Sequence, residues 1–416
     1  MAGLNATMGD DLPSLLLLPP PPHPATRLAL NAAYEPPLKA AISKLKNAKT
    51  GKNGAILIVG LVSPILTGNY IRHKSLSWPH VQSLLADLYS IISVICVQLS
   101  VPTDIHAGPG SVDVRVVLVD HDLSKPLAID SKPAIEPNNT VIINLSTFVS
   151  AYHPWRYILH TNNEPGYALL LTYLKLFEGI QTLKQSQIVV VDGGLAVSVG
   201  LPDSLQVSPQ TITQPTVCLG GTFDHLHPGH KLLLTAAVLL LKVPDKGAPR
   251  PCQFIIGITG DELLKRKKYA EFVQPWDERA MNTIDFLSSI LDLSKDGWKK
   301  SQNAQIIEDR IIKDHGELVA QFRNGTIEVR CVVIQDAYGP TITTENMDIL
   351  VVSGETRSGG NAVNERRKDL GWRQLETFEV DVLDADGIVH KSSEARDFTQ
   401  KISSTAIRKQ KAQSHT

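Results

Sequence analysis

The stretch CLGGTFDHLHPGHKLLL, Cys218 to Leu234, decides how this chain is read. It holds three glycines, one proline and three histidines between an apolar run and a helical pattern. TVCLG reads as a short buried strand, and HKLLLTAAVLLLK as a helix packed on a sheet. The loop between them is a strand-to-helix turn. In open α/β sheets such turns lie at the carboxyl ends of strands, where ligands bind.

The surrounding chain has 416 residues, enough for two or three domains. Its 43% hydrophobic and 20% charged content is ordinary for a soluble globular protein. A formal net charge of -1 gives no global field toward nucleic acid or membrane, and neither is expected as a partner. The four cysteines, at 96, 218, 252 and 331, form no C-x-x-C pair, which argues against a zinc site or a disulfide framework. A reducing, cytoplasmic setting fits that usage. The leucine run in LPSLLLLPPPP is too short to span a bilayer. It follows Asp10 and Asp11 rather than a basic segment, which disfavours a secretory signal.

Outward from the loop, the pattern predicts two α/β domains. Residues 1–25, rich in Leu and Pro, are expected to be poorly ordered. Residues 26–199 alternate strands and helices and form an α/β domain of unassigned role. Its strand candidates are 54–60, 114–120, 140–145 and 187–192, and its helix candidates 81–99 and 167–183. KTGKNG carries a Gly-Lys pair, but Asn53 replaces Ser/Thr and Lys46 stands at the upstream Gly position, so it is not a P-loop. Residues 200–214 read as a linker. From 215 to 412 the alternation restarts, with strands at 252–259, 327–334 and 348–354 and helices at 229–242, 279–291 and near 361–370. That order implies a Rossmann-like parallel sheet. The polar stretch beginning SKDGWKK is expected to be a peripheral insertion of helix and loop.

The opening loop points at an anion. Gly220 and Gly221 let the backbone approach a ligand closely, and Thr222 offers a hydroxyl beside its own N–H. Pro228 can occupy the first turn of the helix, where its missing N–H costs nothing. His227 and His230, three apart, share one face at the helix start, where unpaired N–H groups add positive potential. Such a pair can also begin a zinc site, but no third ligand is recognisable nearby. Near the other end, ISSTAIR puts Ser403, Ser404 and Thr405 at the start of a basic helix. N-capping explains one hydroxyl. Three of them with Arg408 fit a second helix N-terminus that clamps a triphosphate.

A GTFDxxHxGH loop early in a domain with ISSTxxR near its end resembles the nucleotidyltransferase superfamily with the HxGH signature. GGTFDHLHPGHKLLL, ITGDELLKRKKYAEFVQPWDER and VVSGETRSGGNAVNERR are similar to eukaryotic-type phosphopantetheine adenylyltransferases, of the fungal, monofunctional kind. The resemblance covers about half the chain and implies adenylyl transfer from ATP to 4'-phosphopantetheine, giving dephospho-CoA and pyrophosphate. It implies that Thr222 bridges the reacting phosphates while His227 and His230 hold the ATP phosphates and the α-phosphoryl transition state. Ser403, Ser404 and Thr405 would close on the β and γ phosphates. Lys265 would hold the pantetheine phosphate, Arg367 would meet the triphosphate, and Mg²⁺ would arrive with ATP. Arg357 is a further substrate candidate, although it stands one residue before the family's arginine position, which Ser358 occupies. In LLKRKKY only Lys265 is assigned a role. Arg266, Lys267 and Lys268 fit a solvated face, Asp224 a turn former, His225 a structural residue and Trp276 a packing residue or pocket wall.

Two other readings compete. One is another HxGH enzyme, such as a cytidylyltransferase acting on a phospho-alcohol. The other is a non-catalytic interaction protein, against which the intact His227, His230 and Ser404 argue. No G-x-x-x-x-G-K-[ST] segment is present, so a separate dephospho-CoA kinase is expected to complete the pathway. An oligomer is compatible with everything above.

Overall fold

The structure is a computed structural model that describes residues 12–48, 53–67, 75–104, 107–125, 139–151, 154–195, 211, 213–292, 306–312, 315–381 and 403–414. It divides into two compact units. One comprises Met1–Ser77, Asp87–Glu136 and Ile142–Gln210; the other comprises Trp78–Ala86, Pro137–Val141 and Thr211–Thr416.

The first unit is built on β1 (Ser14–Leu18), α1 (Arg27–Lys46), β2 (Ala55–Ser63), the part of α2 (Trp78–Gln98) from Asp87 on, β3 (Val112–Asp120), β4 (Ile143–Asn144), α3 (Leu145–Ala151), β5 (Ile158–Thr161), α4 (Glu164–Phe177) and β6 (Ile188–Val191). Its six-stranded sheet runs β4-β3-β2-β1-β5-β6, every pair parallel. The order corrects the reading of residues 1–25 as poorly ordered. Leu15, Leu16, Leu17 and Leu18 are 0% exposed, because β1 pairs with β2 on one side and β5 on the other. A continuous apolar run is what a strand covered on both faces requires. Residues 1–11 lie outside the described residues. The strand expected over 140–145 shrinks to β4, since Asn144 Oδ1 accepts from Thr147 N and turns the chain into α3. Helix α2 is, among the described residues, the one helix long and apolar enough to cross a membrane; most of it is buried within the fold.

The second unit contains β7 (Thr216–Gly221), α5 (Pro228–Val238), β8 (Cys252–Thr259), the short α6 (Asp261–Leu264), α7 (Trp276–Leu291), β9 (Ile306–Ile312), β10 (His315–Phe322), β11 (Ile327–Ile334), β12 (Ile349–Ser353), α8 (Arg357–Asp369), β13 (Glu376–Val380) and α9 (Ser404–Ser414). The sheet order is β13-β12-β7-β8-β11-β10-β9. The expected parallel sheet is present from β13 to β11, while β10 and β9 add an antiparallel edge. The expected helical insertion is thus, in its described part, a pair of strands. Leu318, Ala320 and Phe322 are buried at alternating positions, a period-2 signal hidden among charged neighbours. Most of the expected linker, residues 200–210 and 212, lies outside the described residues.

The central place of β1 generates a stability prediction. Leu16→Ala should destabilise the first unit by about 2–5 kcal/mol, as for other large-to-small core changes. Urea unfolding checks it: a segment that is merely draped on the surface would give less than about 0.5 kcal/mol.

Candidate active site

The loop after β7 sits where the sheet changes winding direction. From β7 the chain moves outward to β8 and β11; it then returns to β12, on the other side of β7, and continues to β13. Helix α8 packs through Val363 on the face that carries Cys218, Leu350 and Val352. Helices α5 and α7 pack together, α5 against β7 and β12 and α7 against β8, β10 and β11. Neighbouring strands whose helices leave on opposite faces open a crevice at their carboxyl ends. Gly220 and Gly221 end β7 at that crevice.

Local geometry explains the two glycines differently. A Cβ on Gly221 would stand 2.9 Å from the Phe223 ring, so the turn back over the strand needs its absence. A Cβ on Gly220 would have only the Gly257 carbonyl within 4 Å, at 3.9 Å, leaving open space for a ligand. Phe223 and His225 then adopt left-handed conformations, with φ of 51° and 47°. Such backbone costs about 1–3 kcal/mol per residue and persists only where surroundings enforce it.

The imidazoles project from the start of α5. His227 occupies the N-cap position, followed by Pro228 in the first turn. The His227 and His230 rings stack, with centroids 3.9 Å apart and an interplanar angle of 22°. His230 also lies against the Phe223 ring at 5.3 Å. Its Nδ1 is buried and has no hydrogen-bond partner among the described residues. Burial pushes the His230 pKa well below its ordinary value, with further repulsion from His227, Lys267 and His225. Two stacked rings near a lysine would repel each other if protonated; an anion beside them favours the protonated form instead.

Lys267, not Lys265, reaches this loop. Its Nζ donates to Thr222 Oγ1 at 3.0 Å. Burial lowers its pKa first, then the Arg408 charge, with Asp224 opposing. Lys265 points instead to Glu262, at 2.6 Å, and borders a cleft of about 330 Å³ with Leu264, Ala270, Val273 and Pro275. Lys265 therefore does not join Thr222 in this arrangement. The sequence offered no way to separate the lysines, because α6 ends at Leu264 and turns redirect the basic run after it.

The C-terminal segment does meet the loop. Ser403 Oγ caps α9 by accepting from Ala406 N at 3.2 Å. Ser404 Oγ donates to the Asp224 carbonyl at 2.8 Å, and Thr405 Oγ1 accepts from Arg408 Nη2 at 3.0 Å. Arg408 Nη1 donates to Asp224 Oδ2, and both side chains are buried. Lys411 Nζ lies 3.2 Å from His225 Nδ1, while His225 Nε2 lies 2.9 Å from the Phe272 carbonyl. The Nε2–H tautomer satisfies both contacts. The N-termini of α5 and α9 thus flank one loop.

Two arginines are placed otherwise than expected. Arg367 is 0% exposed and donates to the carbonyls of Arg373, Thr341, Thr344 and Glu345. Its guanidinium ties α8 to the segment before β12, and it is not placed to meet a triphosphate. Arg357 is exposed and pairs with Glu379, at 2.6 Å from Nε. The sequence reading missed Arg279, also 0% exposed, which donates to the carbonyls of Thr222, Thr259 and Gln274 and to Asp261. It fixes the Thr222 backbone from below. Trp276 is buried against this frame, its Nε1 donating to the Ile258 carbonyl at 3.3 Å. Among the described residues, no group of three or more His, Cys, Asp or Glu side chains converges as a metal site.

Residues 1–197 match a family described as a domain of unknown function (DUF8446), and residues 218–410 one described as cytidylyltransferase-like. The chain is 33% identical over 211 residues to an uncharacterized protein of Schizosaccharomyces pombe, covering 50% of this chain and 52% of that one. It is 31% identical over 191 residues to a phosphopantetheine adenylyltransferase of Saccharomyces cerevisiae, covering 46% and 47%. It is 30% identical over 167 residues to the phosphopantetheine adenylyltransferase of Pyrococcus abyssi, covering 40% of this chain and 78% of the archaeal one. The chain spans about half the length of the two fungal relatives. Through its C-terminal half it belongs to the phosphopantetheine adenylyltransferase family of cytidylyltransferase-like proteins.

The His230 environment sets a pH dependence. Its folded pKa lies well below the unfolded value of about 6.5. Between those values the unfolded chain holds more protons, so acidification through that window removes stability. His230→Gln should abolish this component: relative to wild type, the variant should gain stability as pH falls below about 6.5. Paired urea titrations at neutral and mildly acidic pH check the sign, and a pH-independent difference between the two proteins contradicts it.

Proposed function

We propose that this family member transfers the adenylyl group of ATP to 4'-phosphopantetheine, releasing pyrophosphate and forming dephospho-CoA. The observation that supports the reading is Lys267 donating to Thr222 Oγ1 while acting electrostatically on His230, which stacks with His227 at the N-terminal end of α5. That constellation suits two anions in line and little else. The nucleophile is a phosphate monoester oxygen, ionised near neutrality because its second pKa is about 6. It needs no general base. Asp224, the acid of the loop, is 0% exposed and already holds Arg408 and the Gln274 N–H, so it is not one.

The oxygen attacks the α-phosphorus and the bond to the β-phosphate bridging oxygen breaks, placing negative charge on departing pyrophosphate. Lys267 and Thr222 hold the acceptor phosphate. His230 and His227 donate to the phosphoryl oxygens as charge builds, and the N-terminus of α5 adds its N–H groups. Mg²⁺ enters as part of the nucleotide substrate. Positioning and electrostatic stabilisation account for the catalysis. Phosphorylation of the product to CoA is assigned in this reading to a separate dephospho-CoA kinase.

Purified chain given phosphopantetheine with Mg·ATP or Mg·CTP tests this reading. Pyrophosphate and dephospho-CoA should appear in equal amounts with ATP. His230→Ala should slow turnover about 10²–10³-fold, the usual effect of losing a transition-state donor. A preference for CTP favours the cytidylyltransferase alternative, and accumulation of CoA without added kinase overturns the division of labour.

The lysines separate in kinetics. Lys267→Ala should raise the Michaelis constant for phosphopantetheine by about tenfold or more, the effect of losing one charge-assisted hydrogen bond, with a smaller change for ATP. Lys265→Ala should have the lesser effect on the acceptor. Steady-state kinetics in which Lys265→Ala carries the larger acceptor effect would return the assignment to Lys265.

A further inference from the structure

We propose that Arg408 is a positioning residue for adenylyl transfer and not a phosphate ligand: by its ion pair with Asp224 it holds the left-handed turn Phe223–His225, and so makes the pose of Thr222 and Lys267 depend on the docked C-terminal helix. The inference rests on the adenylyltransferase reading of the site.

Four observations carry it. Arg408 is 2% exposed, while the anion space above Gly220 is open. Its donors face protein: Nη1 toward Asp224 Oδ2, Nη2 toward Thr405 Oγ1 at 3.0 Å and Nε toward the Lys268 carbonyl at 3.2 Å. Asp224 sits between the two residues of positive φ, and its Oδ1 accepts from Gln274 N at 3.0 Å. The guanidinium therefore joins three segments at once: the turn, the backbone beside Lys267, and α9. Ser404 reinforces the link through the Asp224 carbonyl, and Lys411 through His225. A strained turn needs enforcement from outside, and here one buried cation supplies it from 184 residues away along the chain. A displacement of about 1 Å at such a site can cost roughly 10²-fold in rate without removing any substrate contact.

The test is a double-mutant cycle on the full chain with Asp224→Asn, Arg408→Gln and the pair combined. Each single variant should lower kcat by about 10–10²-fold, with the Michaelis constant for ATP changed by less than about threefold. The double variant should be no worse than the poorer single, because both remove the same link. Arg408→Lys, which keeps the charge beside Asp224, should recover part of kcat. It also serves if Arg408→Gln does not fold. Additive losses, or a large rise in the Michaelis constant for ATP in the Arg408 variants alone, would make Arg408 a direct phosphate ligand and overturn the proposal. Amide exchange at Phe223–His225 in the ligand-free protein separates this failure from failure of the adenylyltransferase reading. Faster exchange in Arg408→Lys than in wild type is expected, and unchanged exchange also overturns the proposal.

Discussion

In the second unit one buried ion pair, Asp224 with Arg408, ties the loop after β7 to the C-terminal helix. Placing both charges out of water is expensive, and such pairs stand only where geometry and extra hydrogen bonds offset desolvation. Here the Gln274 N–H and the Lys268 carbonyl take up further bonding capacity of the two groups. Removing either partner from such a pair typically costs about 3–5 kcal/mol, because a lone charge stays buried. The pair joins a strained turn to a helix far along the chain, so the two motifs form one structural object.

The sheet decides where that object sits. The order β13-β12-β7-β8-β11 places β7 beside the change of winding direction, and its two terminal glycines open onto the crevice. Arg279 supports the loop from below through the Thr222 carbonyl. The His227 and His230 rings stack beside Lys267, and burial first, then repulsion from His227 and Lys267, holds the His230 pKa low. Polyphosphate binding would relieve that repulsion. Binding energy and site electrostatics are thereby tied to the same few side chains.

Much of this was legible in the sequence. The strand-loop-helix unit around Gly220 and His230 follows from period and turn chemistry alone. The meeting of residues 403–405 with that loop rests instead on family resemblance, because nothing local reports a contact across so long a separation. The choice among Lys265, Lys267 and Lys268 turns on where a four-residue helix ends, which no propensity fixes. Arg367 shows a converse problem: an arginine in NERR looks like an anion ligand until its carbonyl partners are known. In the first unit, the leucine run before the prolines carries no strand signal of its own, because a buried parallel strand has no alternation to display. Leu318, Ala320 and Phe322 do alternate, but their neighbours mask the pattern.

A crystal structure of the full chain with a non-hydrolysable ATP analogue tests the central claim most directly. The account predicts the nucleotide phosphates over Gly220, within hydrogen-bond reach of His227 and His230, with Arg408 still on Asp224. Phosphates held by Arg408 itself, by Arg367, or anywhere outside the β7–α5 loop would contradict it.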